Sequence, residues 1–350
     1  MGTKDKIYRN KRSSNHMFPT VEELTYEGKV IGHSQEGRPV RMIRMGKGDR
    51  TVLLFSGGHP DEPAGGIALL HLLELLKHES DRGWKWLIIS CINPDGVKKN
   101  EGWYPPNFTS LKFWVESYKD QDVEYGFPLT SSAQQTRPET RALMRITDEW
   151  KPDLTVSLHS AKFPPPFVCV SKDLAGATHR FQKTMRCGFE LRSLSERPDE
   201  GITTAYGDGV FGMPPLENKG YGDAHTYMKK VDHSYMVIDT PIWEIRNPKP
   251  VSFSLKKVEE AFSVLDVDEE IKKKVMQTCK AKPQNIEDLW TAAWFIGWWA
   301  RRSLKEFPLG KELESVAEYV TDHGEVDFLL LDKIVDLQIG LIFDTVEFLS

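Results

Sequence analysis

The feature that most constrains the fold is a pair of continuous apolar runs separated by one amphipathic segment. The run TVLLFSGG (51–58) ends in two glycines, and WKWLIISCINPDG (84–96) ends in a predicted Asn-Pro-Asp-Gly turn, as buried strands do. Between them, AGGIALLHLLELLKHE (64–79) has apolar residues at helical spacing. Two buried strands joined by a helix form a βαβ unit, which predicts a parallel or mixed sheet.

Further patterns extend this sheet. Alternating apolar residues around Gly37 and Pro39 predict a hairpin at its edge. DLTVSLHSA (153–161) predicts a third buried strand, and SYMVIDTPIWEI (234–245) predicts a fourth. RPETRALMRITDEW (137–150) predicts a helix with proline in its first turn. The chain is therefore expected to be an α/β protein.

The character of the sequence changes after RNPKP (246–250), and this change predicts the domain organisation. Residues 1–20 are basic and polar and are expected to be flexible, and 21–251 hold the strands of one large domain. Residues 252–350 contain long amphipathic stretches that predict a helical C-terminal domain or layer. Tryptophans at helical spacing in that region predict helix packing: Trp290, Trp294, Trp298 and Trp299.

Composition and charge exclude several classes of protein. The 350 residues carry a net charge of −5 without a basic stripe, so a nucleic-acid partner is not expected. No run of about 20 apolar residues indicates a membrane span, and the N-terminus lacks the apolar region of a secretory signal. The widely spaced cysteines do not predict a disulfide framework, which favours a reducing compartment: Cys91, Cys169, Cys187 and Cys279. A cytoplasmic protein without a membrane partner is expected.

Polar residues follow the predicted strands where each strand ends. They are His59 and Glu62 after the first strand, Asp95 after the second, His159 at the end of the third, and Asp239 and Glu244 on the fourth. A lone histidine at a strand end usually only satisfies hydrogen bonds. In open α/β sheets, however, ligands bind beyond the carboxyl ends of the strands, so the convergence of these residues favours a functional site.

The residue types at this edge are those of a catalytic zinc site. Zinc takes histidine nitrogen and carboxylate oxygen, with three protein ligands and an open position for water. His59, Glu62 and His159 would supply two histidines and one glutamate. A general base must also take a proton from the water, and Asp239 and Glu244 are the candidates.

Several motifs in this order resemble the zinc carboxypeptidases, the M14 metallopeptidases. The motifs are VIGHSQEGRPV, GGHPDE, NPDG, PETRAL and SLHSA, and they extend over roughly residues 25–250. The resemblance implies an α/β/α sandwich around a mixed, largely parallel twisted sheet. It also implies one zinc ion per chain, held by His59, Glu62 and His159.

The resemblance is incomplete where the family grips a substrate's terminal carboxylate. Relatives commonly carry an Asn-Arg pair in a DLNRNFP-like segment, whereas here DVEYGFP (122–128) has Glu124 and Tyr125 at those positions. No guanidinium is therefore available there for a bidentate contact. Arg137, just before the PETRAL helix, could supply one from another direction, and Lys98, after the NPDG motif, could replace the arginine that usually polarises the scissile carbonyl.

Two further assignments follow from the resemblance. Tyr206 lies in a glycine-rich loop (200–224) where the family often places a tyrosine that caps the substrate. The family's catalytic glutamate falls on Asp239 if VIDTPIW is aligned, and on Glu244 if WEIRN is aligned. Alternation along a strand would put these two side chains on opposite faces unless Pro241 breaks the register.

The sequence thus predicts a zinc-dependent hydrolase of peptide or amide bonds, most simply a metallocarboxypeptidase acting on a peptide. One alternative is a zinc amidase or deacylase that cleaves a small N-acyl substrate and does not need the missing arginine. Another is a non-catalytic zinc-binding scaffold with the same fold. Another divalent ion also fits a nitrogen and oxygen site, and the C-terminal helices could form a homo-oligomer interface.

Overall fold

The predicted βαβ unit is present in the computed structural model of the protein, within a larger sheet. The structure describes residues 19–25, 27–62, 64–78, 81–101, 123–130, 136–160, 165–189, 191, 204–213, 217–218, 221–228, 233–246, 325–328 and 331–350. The chain divides into two compact units. The first comprises 1–102, 121–242 and 329–350, and the second comprises 103–120 and 243–328.

The strands are numbered in chain order. They are β1 Lys29–His33, β2 Pro39–Met45, β3 Arg50–Ser56, β4 Trp84–Ile89, β5 Tyr125–Pro128, β6 Leu154–His159, β7 Phe167–Val170, β8 Ala205–Gly207, β9 Val210–Gly212, β10 Glu217–Asn218, β11 Tyr221–Asp223, β12 Ser234–Asp239, β13 Trp243–Arg246 and β14 Glu325–Phe328. The helices are α1 Val21–Leu24, α2 Ala64–His78, α3 Pro94–Asn100, α4 Pro138–Trp150, α5 Thr178–Arg186, α6 Ala224–Met228 and α7 Leu331–Leu349, with a 3₁₀ helix at Lys172–Ala177.

Nine of the described strands form one mixed sheet in the order β1-β2-β4-β3-β6-β12-β7-β9-β8. Its centre, β4-β3-β6-β12, is parallel. The predicted hairpin β1-β2 lies antiparallel at one edge, and β7 is antiparallel to β12. The fold is therefore the mixed, largely parallel sheet that the sequence predicted.

Helices cover both faces of this sheet because its central strands are apolar on both sides. Along β3, Val52 and Leu54 pack in a cluster with α2 and α7, whereas Leu53 and Phe55 pack with α4. Alternate residues of a strand point to opposite faces, and each fully buried leucine contributes about 1.5–3 kcal/mol to stability. Helices on both sides of one sheet make an α/β/α sandwich.

Two predicted elements differ in the structure. The NPDG sequence was expected to form a turn, but in the structure it begins α3. Asn93 is the N-cap, and Pro94 is the first helical residue. Asn93 Oδ1 accepts a hydrogen bond from the Gly96 N–H at 3.0 Å. The predicted fourth strand (234–245) is also divided. It ends at Asp239, and Pro241, which has no N–H for a strand ladder, lies between β12 and β13.

The C-terminal region contains more than helices. Residues 325–328, part of a stretch expected to be helical, form β14, which pairs antiparallel with β13 in the second unit. The helix begins only at Leu331, and this helix, α7, packs on α2 and α5 in the first unit. The tryptophan cluster and most of the predicted 252–350 region lie outside the described residues, so that domain division stays a prediction.

The described residues also bear on the predictions about membrane spans and about disulfides. No helix among them is long and apolar enough to cross a membrane. Cys91, Cys169 and Cys187 are free thiols, and the first two are buried. Burial raises the pKa of the Cys91 thiol to about 12, which makes it an inert core residue at neutral pH.

Candidate metal centre

The three candidate zinc ligands, His59, Glu62 and His159, lie together at the carboxyl ends of β3 and β6. Here the order of the strands in the sheet changes direction. From β3 the chain passes through α2 to β4 on one side, whereas β6 lies on the other side of β3. The carboxyl ends of β3 and β6 therefore border a topological switch point, the usual ligand position in such sheets. His59 follows β3 by three residues and His159 is the last residue of β6.

A tight turn presents the first two side chains. The backbone N–H of Glu62 donates to the carbonyl of His59 at 3.2 Å, and Glu62 Oε1 lies 3.2 Å from His59 Nδ1. The other oxygen, Oε2, accepts a hydrogen bond from the Ser160 backbone N–H at 3.2 Å. The glutamate is thus fixed both by its own turn and by the end of β6.

His159 completes a group whose donor atoms converge. Its Nδ1 lies 3.2 Å from His59 Nδ1 and 2.8 Å from Glu62 Oε2, and one ligand atom from each residue falls within 4.8 Å of the others. Ligands bound tetrahedrally to zinc at about 2.0–2.2 Å lie roughly 3.3 Å apart. The separations between the three donors are close to that value, so these residues fit a zinc ion.

Burial and charge make the group suitable for a cation. Burial alone would raise the pKa of Glu62, but the charge of His59 and the hydrogen bond from His159 hold it well below its usual range. The side chains of Glu62 and His159 are 10% and 6% exposed, whereas that of His59 is 24% exposed. The centre therefore opens to solvent on the His59 side.

Glu124 lies against the far side of His159. Its Oε1 and Oε2 are 3.1 and 3.0 Å from His159 Nε2, and Oε1 also accepts a hydrogen bond from Ser157 Oγ at 2.5 Å. Burial lowers the pKa of His159, but the Glu124 charge outweighs it and raises that pKa well above its usual value. The sequence indicated Glu124 as a substrate contact, which stays a prediction; in the structure its carboxylate is engaged by His159.

The two candidate general bases, Asp239 and Glu244, lie on different strands. Asp239 ends β12 in register with His159 on the adjacent parallel strand, so the two residues lie side by side at the carboxyl edge. Glu244 lies on β13 in the second unit, and its side chain is outside the described residues. The backbone thus places Asp239 beside the metal ligands.

The two basic residues expected to contact a substrate, Arg137 at its carboxylate and Lys98 at its scissile carbonyl, are held in ion pairs. The guanidinium of Arg137 lies 3.1 Å from Oε1 of Glu139, whose side chain is fully buried. Lys98 Nζ lies 2.7 Å from Glu101 Oε2 and 3.1 Å from Glu22 Oε1. Their role in substrate binding stays a prediction.

The two tyrosines are placed as follows. Tyr206 is half-buried in β8, where it packs against the core on the α2 face of the sheet. Tyr125 is the first residue of β5, and its side chain lies outside the described residues. Substrate contacts by these residues also stay predictions.

One residue that holds the site was missed from the sequence. Gln338, fully buried on α7, donates its Nε2 to the carbonyl of His159 at 2.9 Å and to Thr240 Oγ1 at 2.8 Å. It ties the ends of β6 and β12 together from the C-terminal helix. A lone amide in the apolar sequence LQIGLIF was the available signal, although such residues are more often merely buried polar groups.

Comparison with known proteins agrees with the motifs. The zinc carboxypeptidase family model, Peptidase_M14, matches residues 25–163, which include all three candidate ligands. The resemblance to the zinc carboxypeptidases is thereby confirmed over that segment. A comparison with curated proteins gives no match.

Solved structures that resemble the chain include metallocarboxypeptidases. Carboxypeptidase A from Helicoverpa armigera is 16% identical, with 68% of this chain and 69% of that chain covered and a TM-score of 0.46. A metallo-carboxypeptidase from Pseudomonas aeruginosa is 18% identical, with 60% and 54% covered and a TM-score of 0.41. The murein-tripeptide amidase from Escherichia coli O157 is 16% identical, with 66% and 88% covered and a TM-score of 0.36.

Proposed function

We propose that this protein is a zinc-dependent hydrolase of peptide or amide bonds. The observation that carries the proposal is the convergence of His59, Glu62 and His159, whose donor atoms lie within 4.8 Å of one another at the ends of adjacent strands. The family match over 25–163 supports zinc as the ion. Two histidines and one glutamate leave a coordination position open for water, as catalytic zinc sites do.

The roles of the residues follow from their positions. His59, Glu62 and His159 would hold the ion. When bound, the ion would act as a Lewis acid on the scissile carbonyl and would lower the pKa of a water molecule. Asp239, beside His159, would accept the proton of the attacking water on a carboxylate oxygen. It would then return this proton to the leaving amine, because an amine must be protonated to depart.

The simplest reaction of this class is that of a metallocarboxypeptidase. Recognition of a free terminal carboxylate needs a cation near the centre. Arg137 and Lys98 already pair with carboxylates, so a substrate would have to displace those partners. If the protein is a carboxypeptidase that uses Arg137 or Lys98 for this purpose, that cation must leave its present partner when the substrate binds.

A second candidate, an amidase or deacylase for a substrate without a free carboxylate, is favoured by Glu124. Burial acts to raise the pKa of this carboxyl, but the adjacent His159 holds it below its usual value, so Glu124 is negatively charged at neutral pH. A second carboxylate brought to the same place would meet like-charge repulsion. This repulsion supports the second candidate.

The test combines metal content with a substrate panel. Elemental analysis of purified protein should give about one zinc per chain, and Glu62→Ala should lose it because a ligand oxygen is removed. Matched acyl-peptides with free and with amidated C-termini then separate the candidates. Cleavage of free-carboxylate substrates alone supports a carboxypeptidase, whereas cleavage of amidated or N-acyl substrates supports an amidase.

A matched control makes the result specific. Glu74→Ala removes a glutamate from α2 whose partner is the exposed Lys77, and it should retain both zinc and activity. Zinc without turnover on any substrate would favour the non-catalytic scaffold. Wild-type protein without zinc, after metal is supplied, would contradict the proposal.

A further inference from the structure

We propose that Glu124 is a positioning residue, which holds His159 in the tautomer and orientation that direct Nδ1 into the metal centre. The inference rests on the proposed metal site and assigns a role to a residue outside its three ligands. In this role Glu124 would act on the metal through the His159 ring, whose Nε2 it contacts.

The first support is the division of the His159 ring between two partners. Nδ1 faces His59 and Glu62, whereas Nε2 faces both oxygens of Glu124. Ser157 Oγ also lies 2.8 Å from Nε2, but this hydroxyl donates its own proton to Glu124 Oε1. A neutral imidazole carries one N–H, and the nitrogen that binds a metal must be the unprotonated one. Glu62 and His59 would bind the same ion as Nδ1, so Nδ1 would give its lone pair to that ion, and the N–H would lie on Nε2, where the Glu124 carboxylate accepts it. Such carboxylate partners fix ring orientation and strengthen the ligand.

The second support is the space that the chain leaves for the Glu124 side chain. A Cβ built on Gly58 would lie 2.5 Å from Glu124 Oε1 and would also overlap its Cγ. Only glycine at position 58, one residue before the ligand His59, therefore lets this carboxylate reach His159. Ser157, two residues before His159 on β6, occupies the remaining side of Oε1.

The third support is that the backbone at Glu124 is held on several sides. The Ala224 N–H donates to the Glu124 carbonyl at 3.1 Å. The adjacent Val123 donates its N–H to the Gly58 carbonyl at 3.3 Å, and its own carbonyl accepts from Thr140 Oγ1 at 2.8 Å. Glu124 as a whole is only 8% exposed to solvent. Its carboxylate therefore has a fixed position before any metal binds, as a preorganised site requires.

The test measures zinc affinity by competition with a chromophoric chelator, in wild type and in Glu124→Ala and Glu124→Gln. Loss of such a partner typically weakens metal binding about 10–100-fold, and we expect this for Glu124→Ala. Glu124→Gln keeps one acceptor oxygen, so it should retain tighter binding than Glu124→Ala. Glu139→Gln is the matched control, because it neutralises another buried glutamate, which pairs with Arg137; its zinc affinity should stay within about twofold of wild type.

A second measurement reports the contact between Glu124 and His159 directly. Nitrogen-15 NMR of histidine-labelled, zinc-loaded protein should show the His159 Nε2–H hydrogen-bonded and slow to exchange with water in wild type, and exchanging faster in Glu124→Ala. Gly58→Ala, which displaces the carboxylate without changing charge, should shift the spectrum and the affinity in the same direction. It provides the comparison if Glu124→Ala does not fold.

The outcomes distinguish this inference from the proposed function. If wild type binds zinc and the Glu124 and Gly58 variants bind it equally well, with an unchanged His159 Nε2–H signal, the inference is overturned and the metal site remains. If wild type binds no zinc after metal is supplied, the proposed function fails. Weakened binding in the Glu124 variants alone, with Glu139→Gln unaffected, supports the inference.

Discussion

At the scale of single residues, Asp239 is the clearest test of catalysis. It lies in register with His159 at the carboxyl edge of the sheet. Asp239→Asn keeps the size of the side chain and removes its ability to accept a proton. We expect kcat on the best substrate to fall about 10²–10⁴-fold, the usual contribution of a general base, while zinc affinity stays within about twofold.

The comparison variant is Glu244→Gln, measured by steady-state kinetics on the same substrate. The two alignments of the sequence assign the base differently, so the kcat values decide between them. A large loss in Glu244→Gln with normal turnover in Asp239→Asn would transfer the role of base to Glu244.

The sequence was sufficient to select the three candidate ligands, which the structure brings together, because their chemistry is local to strand ends. His59 and Glu62 are three positions apart, and His159 ends an apolar run. The contact between Glu124 and His159 was not predictable in this way, because 35 positions separate the two residues. The contact also requires glycine at position 58, where a side chain would overlap Glu124. Such contacts depend on how β5 and β6 pack, which no local pattern records.

At the scale of elements, Asp95 links the β1-β2 hairpin to α3. Its Oδ1 accepts hydrogen bonds from Ser34 Oγ at 2.6 Å and from the Arg38 guanidinium at 2.7 Å, and Oδ2 accepts from the Glu36 N–H at 2.8 Å. In Asp95→Asn an amide N–H₂ would face one of these donors. We expect the free energy of unfolding at pH 7 to fall by about 1.5–3 kcal/mol, as for hydrogen bonds to a charged group.

The pH dependence of that difference has a definite sign. Burial acts to raise the pKa of Asp95, but the bonds from Ser34, Glu36 and Arg38 outweigh it and lower the folded-state value. The stabilisation is therefore present above the unfolded pKa of about 3.9 and is lost as the pH falls through the lower folded pKa. Urea unfolding at pH 7 and near pH 3 should show the gap between wild type and Asp95→Asn narrowing; a gap that widens in acid would contradict this.

The differences between expected and observed elements have local physical causes. NPDG is a common turn sequence, yet asparagine before proline is also a good helix N-terminus, and the residues that follow decide which forms. The strands β8–β11 are two or three residues long, too short for alternation to be visible. Long apolar strands such as β3 and β6 were predictable because burial on both faces requires continuous hydrophobic sequence.

At the scale of the whole molecule, the sheet order explains why ligands distant in sequence meet. β3 and β6 are neighbours although 97 positions separate Glu62 from His159. The βαβ unit predicted that β3 and β4 would be parallel, but which strand occupies the other side of β3 depends on packing across the sheet. The candidate metal centre therefore joins two segments of the chain that adopt their relative positions only when the sheet has formed.

This arrangement predicts that metal binding and folding of the first unit are coupled. A ligand that binds only the folded state stabilises it by RT ln(1 + [L]/Kd), about 2.7 kcal/mol at a hundredfold excess of free ligand over Kd. For a unit of this size, that corresponds to an apparent Tm roughly 5–10 °C higher with zinc than after chelation. Calorimetric scans of wild type with zinc and with a chelator measure the difference.

Glu62→Ala provides the control for these scans, because it cannot close the site. Its apparent Tm should be the same with zinc and with chelator, whereas Glu74→Ala, on the surface of α2, should respond to chelation like wild type. An equal chelator effect in wild type and in Glu62→Ala would mean that the stabilising ion lies elsewhere on the chain. A response restricted to proteins with all three ligands would place it where β3 and β6 end side by side.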